Sequence, residues 1–537
     1  MESFIDKHSQ EKLSIDALLN KINPLSPYGY AKKKEMPVFR PGQEDLLKAE
    51  YNLMAYLDHY YLDRDIISML NHVKDITESV KRAESGEVLT VVELFEIKNF
   101  ARQTVRVYNT FRDNKFYDDI RIERMVDVIE LLDPAGEKLN TFYIYDDYSE
   151  KLKLIRDEKN QTSHLIKKIK KDMRDGIQED YHVKMNLKGD IYLNKSDENL
   201  ISKLDEDKRL YCSDHTISQV VFSIKYTDEL DGLDSRINIL RAQEENEEYE
   251  VLKNLSQEVG KRSEKFYSNF SAIGKIDLVL AKLRQAKTTD SRPPTIIKEH
   301  KIEIINGRHL KTEEVLSKKN KSYTPVSIKL DRATTSITGA NMGGKTVTLK
   351  MIGQIACAVA LGLYVSAEAC TIGLSGKIFV SIGDEQSVEK GLSTFGAEIQ
   401  NLTEAFKNVN DRCLILIDEL AGGTNPIEGY AITKSIIGYL ADKNSISVVT
   451  THFDKAAGKE VQKLQVAGLK KIDLKKLEHD LLENPGKGMD IITENMDYHL
   501  IPAEDYDEVP RDAINIAELM GMQKEIVDQA KKYIEGK

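Results

Sequence analysis

Residues Thr335 to Thr346 read TSITGANMGGKT, a short β-rich run that enters a glycine loop whose Lys345 and Thr346 open a helix. That is the setting a phosphate-binding loop requires. Gly339, Gly343 and Gly344 let the backbone turn inward with Asn341 among them, so that N–H groups face the β- and γ-phosphates and the helix N-terminus adds its positive dipole end. Lys345 is expected on the phosphates and Thr346 on Mg²⁺, which makes a nucleotide with Mg²⁺ the expected ligand. The strand before and the helix after set the stretch apart from a chance glycine-rich turn.

Leu414, Ile415, Leu416 and Ile417 form a second apolar run, expected to be a buried strand, which ends in Asp418 and Glu419. Asp418 can hold Mg²⁺ through water. Glu419 points to the other side of the strand end, where a carboxylate polarises the water that attacks the γ-phosphate.

Between and beyond these lie GDEQSVEKGLSTFGAEI (383–399), DELAGGTNPIEG (418–429) and SISVVTTH (445–452). The order GANMGGKT, STF followed by a Glu, DEL with GGT, then TTH resembles the ATPase domain of MutS proteins, of the ABC superfamily. GDEQS, LSTF and GTNPIEG resemble the MutS2 branch more than the mismatch-repair branch. The resemblance implies an ATPase in which Ser393 is the signature serine that reaches the γ-phosphate of a partner's ATP. It also implies that His452 is the switch histidine near that phosphate; on residues alone His452 reads equally as a strand-end histidine satisfied by backbone. A serine acting in trans requires a dimer, with itself or with a paralogue.

The chain has 537 residues, 31% of them charged and 7% aromatic, with no tryptophan and a formal net charge of −11. That length exceeds one core, so several domains are expected. The fold class expected is an α/β P-loop ATPase domain of ABC type, preceded by a mainly α-helical core and lever region with a small β-containing clamp. Residues 1–149 are expected as a helical core, with helical segments at Gln43 to Leu62 and Val88 to Val107. Residues 150–290 are expected as lever arms, Glu150 to Gly176 and Leu230 to Lys287, around strands at about 190–226. After the breakers SRPP (291–294), residues 291–537 form the ATPase domain, closed by a helix from Ala513 to Tyr533. NGRHL (306–310) resembles the approach to that domain in the family.

No segment reads as a membrane span or signal peptide: Met351 to Val365 is short, contains Gln354 and continues the phosphate-loop helix. Cys212, Cys357, Cys370 and Cys413 form no C-x-x-C pair, which suits a reducing cytoplasm and reads as buried inert thiols rather than a metal site.

Against the family pattern, the chain has no Phe-x-Glu mismatch wedge. No nuclease domain of the kind usual in the MutS2 branch is expected within its 537 residues, and it carries DYHLIPAEDYDEVPRDA (497–513) in place of a glycine- and serine-containing turn. Lys167, Lys168, Lys170, Lys171 and Arg174 read as a solvated helix face or, in a clamp, as a grip on duplex backbone. Two functions are expected from the resemblance: a dimeric ATP-gated clamp on DNA, for repair or recombination, or the ATP-dependent reactivating partner of a cobalamin-dependent lysine 5,6-aminomutase. The net acidity and the missing wedge and nuclease favour the second; the habits of the wider family favour the first.

Overall fold

The computed structural model of the chain describes residues 1, 3–112, 120–136, 142–186, 188–339, 344–383, 394–420, 425–453, 455–468, 491, 495–503 and 512–534. The chain forms two compact units, one made of 1–71 with 273–537 and the other of 72–272. These limits differ from the expected 149/150 and 290/291. The first 71 residues pack with the phosphate-loop region instead of heading a separate helical core, because their apolar side chains are buried there, Leu13 and Ile15 completely.

In the unit 72–272, three strands, β1 (Asp190–Asn194), β2 (Leu210–His215) and β3 (Gln219–Ile224), form an antiparallel sheet in the order β1-β3-β2. Its apolar face closes over Ile177, Ile191, Leu193, Leu204, Val220 and Phe222. Ile177 lies near the end of the helix Glu150–Tyr181, so the sheet sits at that end, where a tip was expected. That helix spans about 48 Å at 1.5 Å per residue. It is capped by Ser149, whose hydroxyl accepts from Leu152 N–H; Thr227 caps Asp228–Gly260 in the same way through Leu230 N–H.

The two long helices run antiparallel. Ile166 packs with Leu230 and Ile237, and Arg156 forks onto Glu244 at 3.0 Å and Glu248 at 2.6 Å. Lys159 also pairs with Glu244. These partly buried pairs fix the register of the two helices. Leu230 to Lys287 is not one helix: the chain turns at Lys261 and Arg262, and a further helix runs Ser263–Thr288.

The other unit carries ten strands among its described residues: β4 (Thr295–Ile297), β5 (Ile302–Gly307), β6 (Val326–Leu330), β7 (Thr334–Thr338), β8 (Ala369–Gly373), β9 (Ile378–Ser381), β10 (Leu414–Ile417), β11 (Ile446–Thr450), β12 (Gln462–Gly468) and β13 (Asp497–Pro502). A six-stranded sheet has the order β13-β12-β7-β11-β10-β9, parallel throughout except for β13 at its edge. β4, β8, β5 and β6 form a second, mixed sheet. In the parallel sheet β10 and β11 are buried along their whole length, the apolar pattern of strands covered on both faces.

The helix Lys345–Ala360 lies against this sheet and is buried on nearly every face, as its run of apolar residues demands. Gly353 makes the close approach possible, since a Cβ there would meet Leu13 Cδ1 at 2.7 Å and Leu416 Cδ1 at 2.8 Å. The last segment differs from expectation: Ala513 to Tyr533 is two helices, Asp512–Leu519 and Lys524–Ile534, separated by a turn that holds Gly521 at φ +86. A residue in the left-handed region ends a helix.

Among the described residues no helix is long and apolar enough to cross a membrane, and no group of His, Cys, Asp or Glu could hold a metal ion by itself. The four cysteines are unbridged. Burial pushes the Cys370 thiol up to about 12 and Cys413 to about 11, and raises Cys357 as well, which leaves these three as inert thiols.

Candidate functional site

β7 ends at Thr338 and the helix of Lys345 begins at Gly344, which holds the left-handed conformation (φ 76, ψ 10) that a side chain would oppose. Lys345 opens the helix, and its ammonium is almost wholly buried. It donates to Gly339 O at 2.6 Å, across the mouth of the loop, and pairs with Glu419 Oε1 at 3.0 Å. One residue on, Thr346 Oγ1 donates to Asp418 Oδ2 at 2.6 Å. Residues 72 positions apart in the chain thus meet because β10 lies two strands from β7 in the same parallel sheet, and its C-terminal end faces the start of the helix.

Three strands hold the acid pair. Asp418 N–H donates to Ser381 O of β9 at 2.8 Å. Its carboxylate accepts on both oxygens, from Thr346 and, at Oδ1, from Thr450 Oγ1 of β11 at 2.6 Å. Glu419 leaves the strand with φ +43, a conformation that costs a non-glycine residue about 1 kcal/mol or more, and its N–H is taken up by Thr450 Oγ1 at 3.0 Å.

Of the residues expected at the site, the structure brings Gly339, Gly344, Lys345, Thr346, Asp418 and Glu419 together. Asn341, Gly343 and Ser393 lie outside the described residues. His452 is exposed beyond the end of β11, its ring centroid 4.3 Å from that of Phe453. Thr450, the first threonine of TTH, was not singled out from sequence. A polar residue closing a mostly apolar strand was the available signal.

Beside the loop opens a cleft of about 450 Å³, within the range of small-molecule sites, lined by Gly344 to Thr348 and by Leu316, Tyr323, Met496 and Tyr498. Tyr498, on edge strand β13, lies against Gly344: a Cβ there would sit 3.1 Å from its ring. Tyr323 OH accepts from His309 N–H at 3.1 Å. Burial raises the phenol pKa of both tyrosines, so they stay neutral and present apolar ring faces. Neither was expected from sequence, since Tyr498 falls in the stretch that departs from the family pattern and Tyr323 in a loop.

The donor set suits a hard cation. Thr346 Oγ1 and Asp418 Oδ2 lie 2.6 Å apart, a hydroxyl and a carboxylate oxygen that would hold Mg²⁺ directly or through water.

Residues 335–536 match the MutS domain V family. The chain is 29% identical over 402 residues to a protein named endonuclease MutS2 from Leuconostoc mesenteroides, covering 72% of this chain and 48% of that protein. It is 28% identical over 481 residues to the endonuclease MutS2 of Caldicellulosiruptor bescii, covering 86% of this chain and 56% of the relative. With the endonuclease MutS2 of Acetivibrio thermocellus the identity is 30% over 398 residues, 71% of this chain and 48% of the relative. The chain therefore spans about half the length of the curated relatives it matches.

Proposed function

We infer from the domain V match and the MutS2 relatives that this chain belongs to the MutS family, and we propose that it binds and hydrolyses ATP to drive a dimeric clamp acting on DNA. The observation that carries the ATPase reading is the convergence of Lys345, Thr346, Asp418 and Glu419 at the mouth of one loop. In this reading the phosphates lie along Gly339 to Thr346, with Asn341 and Gly343, and the nucleoside enters the cleft between Tyr323 and Tyr498. Thr346 and Asp418 hold Mg²⁺, which neutralises phosphate charge.

Lys345 supplies a coupling of its own. Its ammonium is shared between Gly339 O and Glu419, so phosphate oxygens compete with Glu419 for the same cation. Once Lys345 turns to the phosphates, the Glu419 carboxylate is released to accept a proton from water. Ser393 of a second copy or a paralogue, and His452, complete the γ-phosphate environment in the family's manner, in an ABC-type dimer working in the cytoplasm.

Support for DNA comes from the relatives, all named endonuclease MutS2, and from the exposed lysines of the long helix 150–181. None of these relatives is named for an aminomutase, so that client is not carried forward. The test is the steady-state ATPase rate, titrated with duplex, branched and single-stranded DNA at low and physiological salt. Stimulation that weakens with salt is the expected result. An intact ATPase indifferent to every DNA at low salt would remove the clamp from the reading.

A further inference from the structure

We propose that Thr450 is a positioning residue for ATP hydrolysis, whose single hydroxyl sets both acids of the site. The inference rests on the ATPase reading above.

A threonine hydroxyl has one proton to give and lone pairs to accept with. Here the proton goes to Asp418 Oδ1 at 2.6 Å, and a lone pair receives Glu419 N–H at 3.0 Å. Thr450 is completely buried, at the end of β11, which is flanked by β10 and β7 through registered pairs (Ile417 with Val449, Ile337 with Thr450). Its β-branched side chain is restricted at χ1, so the oxygen is held on a rigid support.

Two consequences follow for the chemistry. The Asp418 carboxylate is gripped from opposite sides, by Thr346 of the loop helix and Thr450 of the sheet, which fixes the plane it offers to a cation. The Glu419 backbone turns away from the strand at φ +43, and its N–H donates to that same hydroxyl. The direction of the general base and the plane of the metal-binding carboxylate are thus tied to one atom that touches neither ATP nor water in the reaction.

The experiment compares four variants in the full chain: Thr450→Ser, Thr450→Ala, Thr450→Val and, as a control, Lys345→Ala. Ser and Ala both lack the methyl and differ only in the hydroxyl, so the pair stays informative if the valine protein folds poorly. Expected is a kcat for Thr450→Ala at least tenfold below that of Thr450→Ser, with Ser within about threefold of wild type. The Mg²⁺ concentration for half-maximal rate should rise several-fold in Ala and Val. Binding of a fluorescent ATP analogue in EDTA should change less than twofold, a split that general loss of packing would not produce. Equal kcat and equal Mg²⁺ dependence for Ser and Ala overturn the inference while the ATPase reading stands. A wild type that neither binds nor hydrolyses ATP, matching Lys345→Ala, sinks both.

Discussion

Protonation of His309 should loosen the helix that lines one wall of the cleft beside Gly344. The imidazole is buried at the N-cap of the helix Leu310–Lys318, with Nδ1 accepting from Thr312 N–H at 3.3 Å and 2.7 Å from Thr312 Oγ1. Nε2 is 3.4 Å from Leu13 O, so the neutral tautomer with its proton on Nε2 satisfies all these groups. A proton on Nδ1 would set a donor against Thr312 N–H and abolish the cap. Burial, partly offset by the Leu13 carbonyl and reinforced by Lys350, pushes its pKa down from 6.5 to about 4.

Between those values the unfolded form binds the proton and the folded form does not, so stability is full above about pH 6.5 and falls as pH drops toward 4. At pH 5.5 the loss is roughly RT ln 11, about 1.4 kcal/mol, growing to about 3 kcal/mol below pH 4. His300, also held at about 4 by burial, adds a separate loss in the same direction, so the effect must be isolated by a variant. His309→Asn keeps a good cap and removes the titration.

Two compact units need not unfold together, so the assay is hydrogen exchange on peptides covering residues 303–319, corrected for intrinsic rates. Between about pH 7.5 and 5.5 the opening free energy should fall by about 1.4 kcal/mol more in wild type than in His309→Asn. Equal falls in the two proteins would refute the reasoning. Thr312 and Leu316 of this helix line the cleft, so nucleotide affinity should weaken with the same pH dependence.

Lys345→Ala should abolish binding of a fluorescent ATP analogue, because it removes the buried cation at the loop. Glu419→Ala should retain ATP yet lower turnover by about 10²- to 10⁴-fold, the usual worth of a general base, and trap the closed dimer in size-exclusion chromatography; wild-type turnover would void its role. Asp277→Ala should destabilise the unit by about 3–5 kcal/mol in hydrogen exchange of residues 24–35, since this buried carboxylate accepts Leu25 N–H at 2.9 Å, Ser26 N–H at 2.6 Å and Ser26 Oγ at 2.7 Å.

The parts of the site that could be read from sequence are the local ones. A strand, a glycine loop and a helix follow one another over Thr334 to Ala360, and an apolar run with two acids spans Leu414 to Glu419, so periodicity and residue type suffice for both. Thr450 and Tyr498 escape such reading because sheet order brings them in, and Tyr323 because it lies in a loop. β11 inserts between β7 and β10, and β13 returns antiparallel at the edge, neither of which follows from adjacency in the chain. The division at residues 71 and 273 was hidden for the same reason: amphipathic helices such as Glu44–Leu57 show which face is buried but not against what.

What buries those first residues bears on how a change at the phosphates could be felt elsewhere. Gln354 lies on the same helix as Lys345, donates to Leu13 O at 3.0 Å and accepts from Leu310 N–H at 3.0 Å. At the far end of that helix, the buried Lys282 ammonium donates to Leu361 O and Gly362 O, both at 3.3 Å, and pairs with Glu50 at 2.8 Å. A cation there also complements the helix dipole. Leu13 lies in the stretch 1–71 and Lys282 in the stretch that begins at Ile273, so both chain segments of this unit are hydrogen-bonded to the loop helix or to the carbonyls that follow it. A helix is stiff along its axis, so its middle and its C-terminal end are held in register by the hydrogen bonds at Gln354 and at Leu361 and Gly362. Within this unit the loop helix that begins at Lys345 is therefore held to the segment 1–71 through Gln354 and Leu13, and to the segment after Ile273 through Lys282, by buried hydrogen bonds.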